Sequence, residues 1–172
     1  MAYTNCTSST GVHVRPRLFA AIAVFATLAL ATVACNRTPA PAPPSAVTGG
    51  SNAHGLARLR NPYVGQADAI AAGRELFATR ACSGCHGAQG GGGMCPPLID
   101  DAWVYGSDDT TLFNLIRSGS AGLAAHGYVR GTRERIAGDM PPLGGAVSED
   151  ETWKLLAWIR SRYAGDPALR DW

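Results

Sequence analysis

Lysine is almost missing from this chain. Lys154 is the only one among 172 residues, and arginine carries the remaining positive charge. The formal charge is only +2 and no basic stripe with interleaved aromatics occurs, so nothing points to nucleic acid. A glycine-rich run exists from Gly87 to Met94, but no lysine followed by Ser or Thr closes it, which excludes a phosphate-cradling P-loop. There is no Rossmann glycine pattern beside strands and no catalytic triad motif, so the usual enzymatic signatures are lacking. Only one apolar run is long, Leu18 to Ala34.

What is present is concentrated at Ala81-Cys82-Ser83-Gly84-Cys85-His86-Gly87. Cys-x-x-Cys-His is the attachment pattern of a c-type haem. Two thiols three positions apart can each add to a vinyl group, and the adjacent histidine supplies a nitrogen to the iron. Other readings compete. A zinc site would use Cys82, Cys85 and His86 with Cys95 as fourth ligand. A thioredoxin-type dithiol requires a βαβ context, which the chain lacks. A plain disulfide leaves the histidine without a role.

The N-terminus has the order of an export signal: Arg15 and Arg17, the apolar run 18–34, then Cys35. Leu28 to Cys35 is similar to a bacterial lipobox, with Thr32 where an aliphatic residue is usual. Acylation of Cys35, cleavage after Ala34 and an uncleaved anchor all export the rest. Loss of residues 1–34 leaves 13 basic and 13 acidic side chains, from 15 and 13 in the whole chain. Residues 35–62 are rich in Pro, Ala, Ser and Gly and are expected to be a tether. With Cys6 in the leader and Cys35 acylated, Cys95 is the odd thiol, expected buried or paired between chains.

The expected folded domain spans residues 63–165, with 166–172 as a tail. Ala69, Ile70, Gly73, Leu76 and Phe77 predict a helix over 68–79 that runs into Cys82. The glycine run reads as a flexible loop. Asp108 or Asp109 predicts the cap of a second helix carrying Leu112, Phe113, Leu115 and Ile116, stopped by Gly119. Residues 120–138 read as a long connection, whose Arg130, Arg133 and Arg135 suit a haem propionate, an acidic partner or plain solvent. Met140-Pro141 is the expected source of the sixth iron ligand, since thioether opposite imidazole favours ferrous iron. Met94 and His126 are its rivals. Ser148 with Glu151 forms a capping box for a last helix bearing Trp153, Leu155, Leu156, Trp158 and Ile159.

This order (helix, Cys-x-x-Cys-His, glycine loop, Pro-x-Leu, helix, Met-Pro, aromatic helix) resembles a class I monohaem cytochrome c over roughly residues 63–164. The resemblance implies an all-α fold of three to five helices around one covalently bound haem c and its iron. It implies thioethers at Cys82 and Cys85, His86 and Met140 as axial ligands, and Pro96 accepting the ring N–H of His86. It also implies a small residue, Gly73, where first and last helices cross, with Phe77 meeting Trp158. Attachment of this kind takes place outside the cytoplasm, which agrees with the leader.

The implied role is that of a one-electron carrier rather than an enzyme. It would be periplasmic, a lipoprotein tethered to the membrane through Cys35. Its redox partners would be a periplasmic dehydrogenase as donor and an oxidase or another cytochrome as acceptor. The stretch from Gly92 to Tyr105 looks most like small cytochromes that serve quinoprotein alcohol dehydrogenases. The lone lysine excludes docking through a lysine ring. Alternatives are a haem subunit of a membrane oxidoreductase, or a haem enzyme or sensor with an open sixth position.

Overall fold

The structure is a computed structural model and describes residues 50–131 and 138–172. The expected leader, Cys35, Arg133 and Arg135 lie outside the described residues. Four α-helices are present among them: α1 (Ala67–Thr79), α2 (Cys82–His86), α3 (Asp109–Ala125) and α4 (Glu149–Arg162). A short 3-10 turn, Pro167–Leu169, follows. No strand is formed among the described residues, only an isolated bridge between Ser51 and Ala57. The all-α expectation is met. No described helix is long and apolar enough to cross a membrane.

The scaffold is the contact of α1 with α4. Ala69, Gly73 and Phe77 are the buried positions of α1, one per turn on a single stripe. Gly73 lies so close to α4 that a Cβ there would stand 2.0 Å from the Lys154 carbonyl oxygen and 2.9 Å from Trp158 Cβ. With the backbones this near, the Phe77 and Trp158 rings meet at 4.4 Å between centroids. On the other flank Trp153 stacks on Phe113 of α3 at 4.3 Å. Leu155 and Leu156 are fully buried between these contacts.

α4 begins as its sequence predicts. Ser148 Oγ accepts from Glu151 N–H, and Glu151 accepts from Ser148 N–H at 2.8 Å. The Ser148 N–H and then the Arg80 guanidinium hold the Glu151 carboxyl below its ordinary range. Burial pushes Asp150 up, but bonds from Lys154 Nζ at 2.6 Å and the Tyr63 hydroxyl outweigh it and leave its pKa lowered. A carboxylate with a depressed folded pKa stabilises above its unfolded value and loses that contribution as pH falls through the folded one. The domain is therefore expected to lose thermal stability as pH drops below about 4. Glu151→Gln should melt lower at neutral pH and show a shallower acid decline, measured by melting across that range.

Two stretches depart from expectation. Residues 50–61 of the expected tether are bonded to α3: Leu59 N–H donates to Thr110 Oγ1 at 2.8 Å and Asn61 N–H to Asp109 Oδ2 at 2.9 Å. The Asn52 amide reaches the Tyr128 hydroxyl at 2.7 Å, and His54 stacks on that ring. Side-chain acceptors on α3 thus satisfy a backbone whose composition alone suggests no order. The expected tail is also engaged: Ser107 Oγ donates to Asp171 at 2.7 Å, and Trp172 lies over the Arg160 guanidinium at 3.9 Å.

Arg160 is not a solvated last-turn cation. It is buried, donates to the Ser107 carbonyl, and pairs with the equally buried Asp109 at 3.1 Å. Removing one partner strands the other charge, so Asp109→Ala is expected to cost about 3 kcal/mol. Chemical denaturation should show it, with the double variant Asp109→Ala/Arg160→Leu less damaging than Asp109→Ala alone because no charge is left behind.

Gly119 does not end α3. It breaks the helix at φ 71°, ψ −178°, and the helix resumes to Ala125. The break frees carbonyls, and the segment after Met140 takes them: Leu143 N–H bonds Ile116 O at 2.9 Å and Gly144 N–H bonds Arg117 O at 3.0 Å. Ser120 then holds Met140 on both sides, its N–H donating to Met140 O at 2.9 Å and its Oγ accepting from Met140 N–H at 3.0 Å.

Candidate haem site

α1 ends at Arg80, whose N–H returns to Leu76 O, and Ala81 turns the chain at φ 62°. A non-glycine residue in this left-handed region is uncommon and marks an enforced turn. It launches α2, a single turn that sets Cys82 and Cys85 three positions apart, with His86 next. Cys82 is half-buried, and burial raises its thiol pKa. Neither thiol is in a disulfide.

The glycine run is a folded return rather than a loose loop. Gly92 N–H bonds His86 O at 2.9 Å, Cys95 N–H bonds Cys85 O at 3.1 Å, and Leu98 N–H bonds Gly90 O at 2.8 Å. A Cβ at Gly93 would stand 2.7 Å from Cys85 O, so glycine is what lets the two strands of the return meet. Burial and then the neighbouring Cys85 thiol raise the pKa of the Cys95 thiol. Pro96 follows, and His86 Nδ1 lies 2.8 Å from its carbonyl oxygen. A carbonyl only accepts, so Nδ1 carries the proton and Nε2 is left with its lone pair.

His86 and Met140 both face two adjoining hollows of about 580 and 520 Å³. The hollows share four further residues, Leu98, Trp103, Leu112 and Leu115. Cys82 borders one and Pro96 the other; Cys85 lines neither. A soft thioether and an oriented imidazole on one apolar cavity, with the Cys82 thiol at its edge and Cys85 one turn further along α2, fit a flat apolar macrocycle with a central iron. The rivals lie elsewhere: Met94 is 62 % exposed and His126 is exposed, and neither lines the cavity. Among the described residues no three His, Cys, Asp or Glu side chains converge as a zinc site requires. Arg130 stands at the cavity margin, bonded to Tyr105 and Asp139 at 3.4 and 3.3 Å.

A family model described as cytochrome C oxidase, cbb3-type, subunit III matches residues 68–159. The chain belongs to this cytochrome c family. Its cofactor is accordingly haem c with its iron, and its single Cys-x-x-Cys-His makes it a class I monohaem cytochrome. It is 34 % identical over 114 residues to cytochrome c-L of Methylorubrum extorquens, covering 65 % of this cytochrome and 49 % of that relative. It is 30 % identical over 105 residues to the cbb3-type cytochrome c oxidase subunit FixP of Sinorhizobium medicae, covering 60 % and 33 %. The crystal structure of cytochrome CL from Methylophaga aminisulfidivorans superposes with a TM-score of 0.52 at 35 % identity, over 66 % of this chain and 65 % of that one. The cytochrome thus spans about half the length of the first of these curated relatives and a third of the second.

Sequence reasoning missed Ser120 and the buried Arg160. A serine directly after a helix-breaking glycine was the available sign for the first. For the second there was none, because an arginine in a last helical turn ordinarily serves the helix dipole.

Proposed function

We propose that this cytochrome is a one-electron carrier, exported and tethered to the periplasmic side of a bacterial membrane. In this reading Cys82 and Cys85 form the thioether links, His86 and Met140 are the axial ligands, and Pro96 orients His86. The observation that carries it is the shared cavity, on which an imidazole with its outer nitrogen tied to Pro96 and a methionine thioether both border. Bound haem c supplies a one-electron iron couple, and a thioether opposite imidazole raises its potential.

The protein's part is to hold still. Pro96 fixes the tautomer and plane of His86, which also strengthens it as a ligand. Ser120 grips the Met140 backbone, so the thioether is presented by a clamped segment. Leu98, Leu112, Leu115 and Trp103 give the cavity a largely apolar wall. Such a site is suited to electron exchange with little rearrangement.

Residues 1–34 are read as leader and the stretch from Cys35 as the tether, acylated at Cys35. The resemblance to cytochromes that serve quinoprotein alcohol dehydrogenases supports such a dehydrogenase as the donor, with an oxidase or another cytochrome as acceptor. A permanently docked oxidoreductase subunit is the second reading, favoured by the match to the cbb3-type subunit model. Co-purification of a partner after detergent extraction supports the subunit; release as a single chain supports the carrier.

Visible spectra of the exported protein, oxidised, reduced, and reduced under carbon monoxide, test the function itself. The expected result is a low-spin haem in both states, a methionine–iron charge-transfer band, and no response to carbon monoxide. A high-spin haem that binds carbon monoxide readily would move the protein to catalysis or gas sensing.

A further inference from the structure

Among the described residues Cys95 is the one thiol that forms no link in the proposed haem site, and the fold brings it beside one that does. The return through Gly87–Gly93 ends with Cys95 N–H on the Cys85 carbonyl at 3.1 Å. The side chains are neighbours too, since after burial it is the Cys85 thiol that pushes the Cys95 thiol pKa up. A disulfide needs such nearness, with Cα atoms roughly 4.4–6.8 Å apart. The closeness is enforced: a Cβ at Gly93 would stand 2.7 Å from Cys85 O, and one at Gly87 2.5 Å from Gly92 O. Both thiols are free and neither is fully buried, so an external disulfide can reach them. Cys95 also lines the cavity next to Pro96 and His86.

We propose that Cys85 and Cys95 form a disulfide in the exported chain before haem is attached, withholding the second attachment thiol until that bond is reduced. The proposal rests on the reading of Cys85 as a thioether cysteine. Oxidation proceeds by thiol–disulfide exchange with a protein disulfide of the export compartment. The Cys85 and Cys95 thiols lose their two protons and two electrons and become joined, and the oxidant leaves as a dithiol. Exchange with a reduced dithiol protein reverses this, returning both thiols and leaving that protein oxidised. Cys85 is then free for attachment, after which Cys95 has lost its partner and stays a thiol.

Met94 makes the test direct, because cyanogen bromide cuts between Met94 and Cys95. Full-length chain is exported in cells lacking the haem-attachment machinery, alkylated, cleaved without reduction, and weighed. The fragments ending at Met94 and starting at Cys95 are expected to stay joined until reductant is added. They should remain joined in Cys82→Ala and separate in Cys85→Ala. In cells with the machinery but limiting reductant, Cys95→Ser is expected to raise the haem-loaded share about twofold.

Full alkylation of Cys95 overturns the proposal, as does a link that survives in Cys85→Ala or one found only between two chains. An unchanged haem-loaded share in Cys95→Ser overturns the withholding role. Alkylation of the haem-bearing fragment reports separately whether Cys85 carries a thioether, because a free Cys85 thiol gains the mass of an alkyl group, so failure of the haem reading and failure of the disulfide are told apart.

Discussion

Gly73→Ala is expected to destabilise the domain by about 3 kcal/mol, the upper part of what overpacking ordinarily costs. The added methyl would stand 2.0 Å from the Lys154 carbonyl oxygen and 2.7 Å from its carbon, and neither can rotate away because both are backbone. Relief requires α1 and α4 to part, which also pulls Phe77 from Trp158. Alanine's better helix propensity returns about 1 kcal/mol at most, so the sign is not in doubt. Against a total of roughly 5–15 kcal/mol for a domain, the loss is large. Denaturant unfolding of the haem-loaded protein measures it. A loss below about 0.5 kcal/mol would mean that the helices cross farther apart than described.

Met140→Ala is expected to change the spectrum outright rather than by degrees. Loss of the thioether should abolish the methionine–iron band, turn the haem high-spin, lower the potential, and raise carbon monoxide binding from near none to about one per haem. The fold should survive, because the segment is held by its backbone: Ser120 on both sides of Met140, and Ile116 and Arg117 by Leu143 and Gly144. A low-spin spectrum unchanged in both oxidation states would remove Met140 from the ligand set. Another donor would then have to enter the cavity, and Met94 and His126 stand outside it.

Legibility of the sequence followed the range of the interactions involved. The capping box at Ser148, the stripe Ala69–Gly73–Phe77 and the Cys-x-x-Cys-His turn are local patterns, and each is where its spacing puts it. The contact of His86 with Pro96 spans ten residues and was legible only through family resemblance. Gly119 shows the limit. A glycine in a helical pattern reads as a stop, yet here the carbonyls freed by the break are capped by residues 143 and 144, which lets the helix resume. The glycine run misled for the opposite reason. Its composition suggests looseness, while its glycines are required by close backbone approach. Residues 50–61 owe their order to acceptors on α3 about fifty positions away, which composition cannot disclose.

The solitary Lys154 has a practical consequence. Its ammonium is the only side-chain amine of the chain, set on α4 between Asp150 and the Tyr63 ring, and its side chain is 29 % exposed. Leu155, Leu156 and Ile159 of the same helix line the haem cavity, so the lysine and the cavity share one rigid element. Amine-reactive coupling through side chains would attach every molecule to an electrode at the same point and in the same orientation. Voltammetry of such a film should show one narrow wave rather than a spread of orientations.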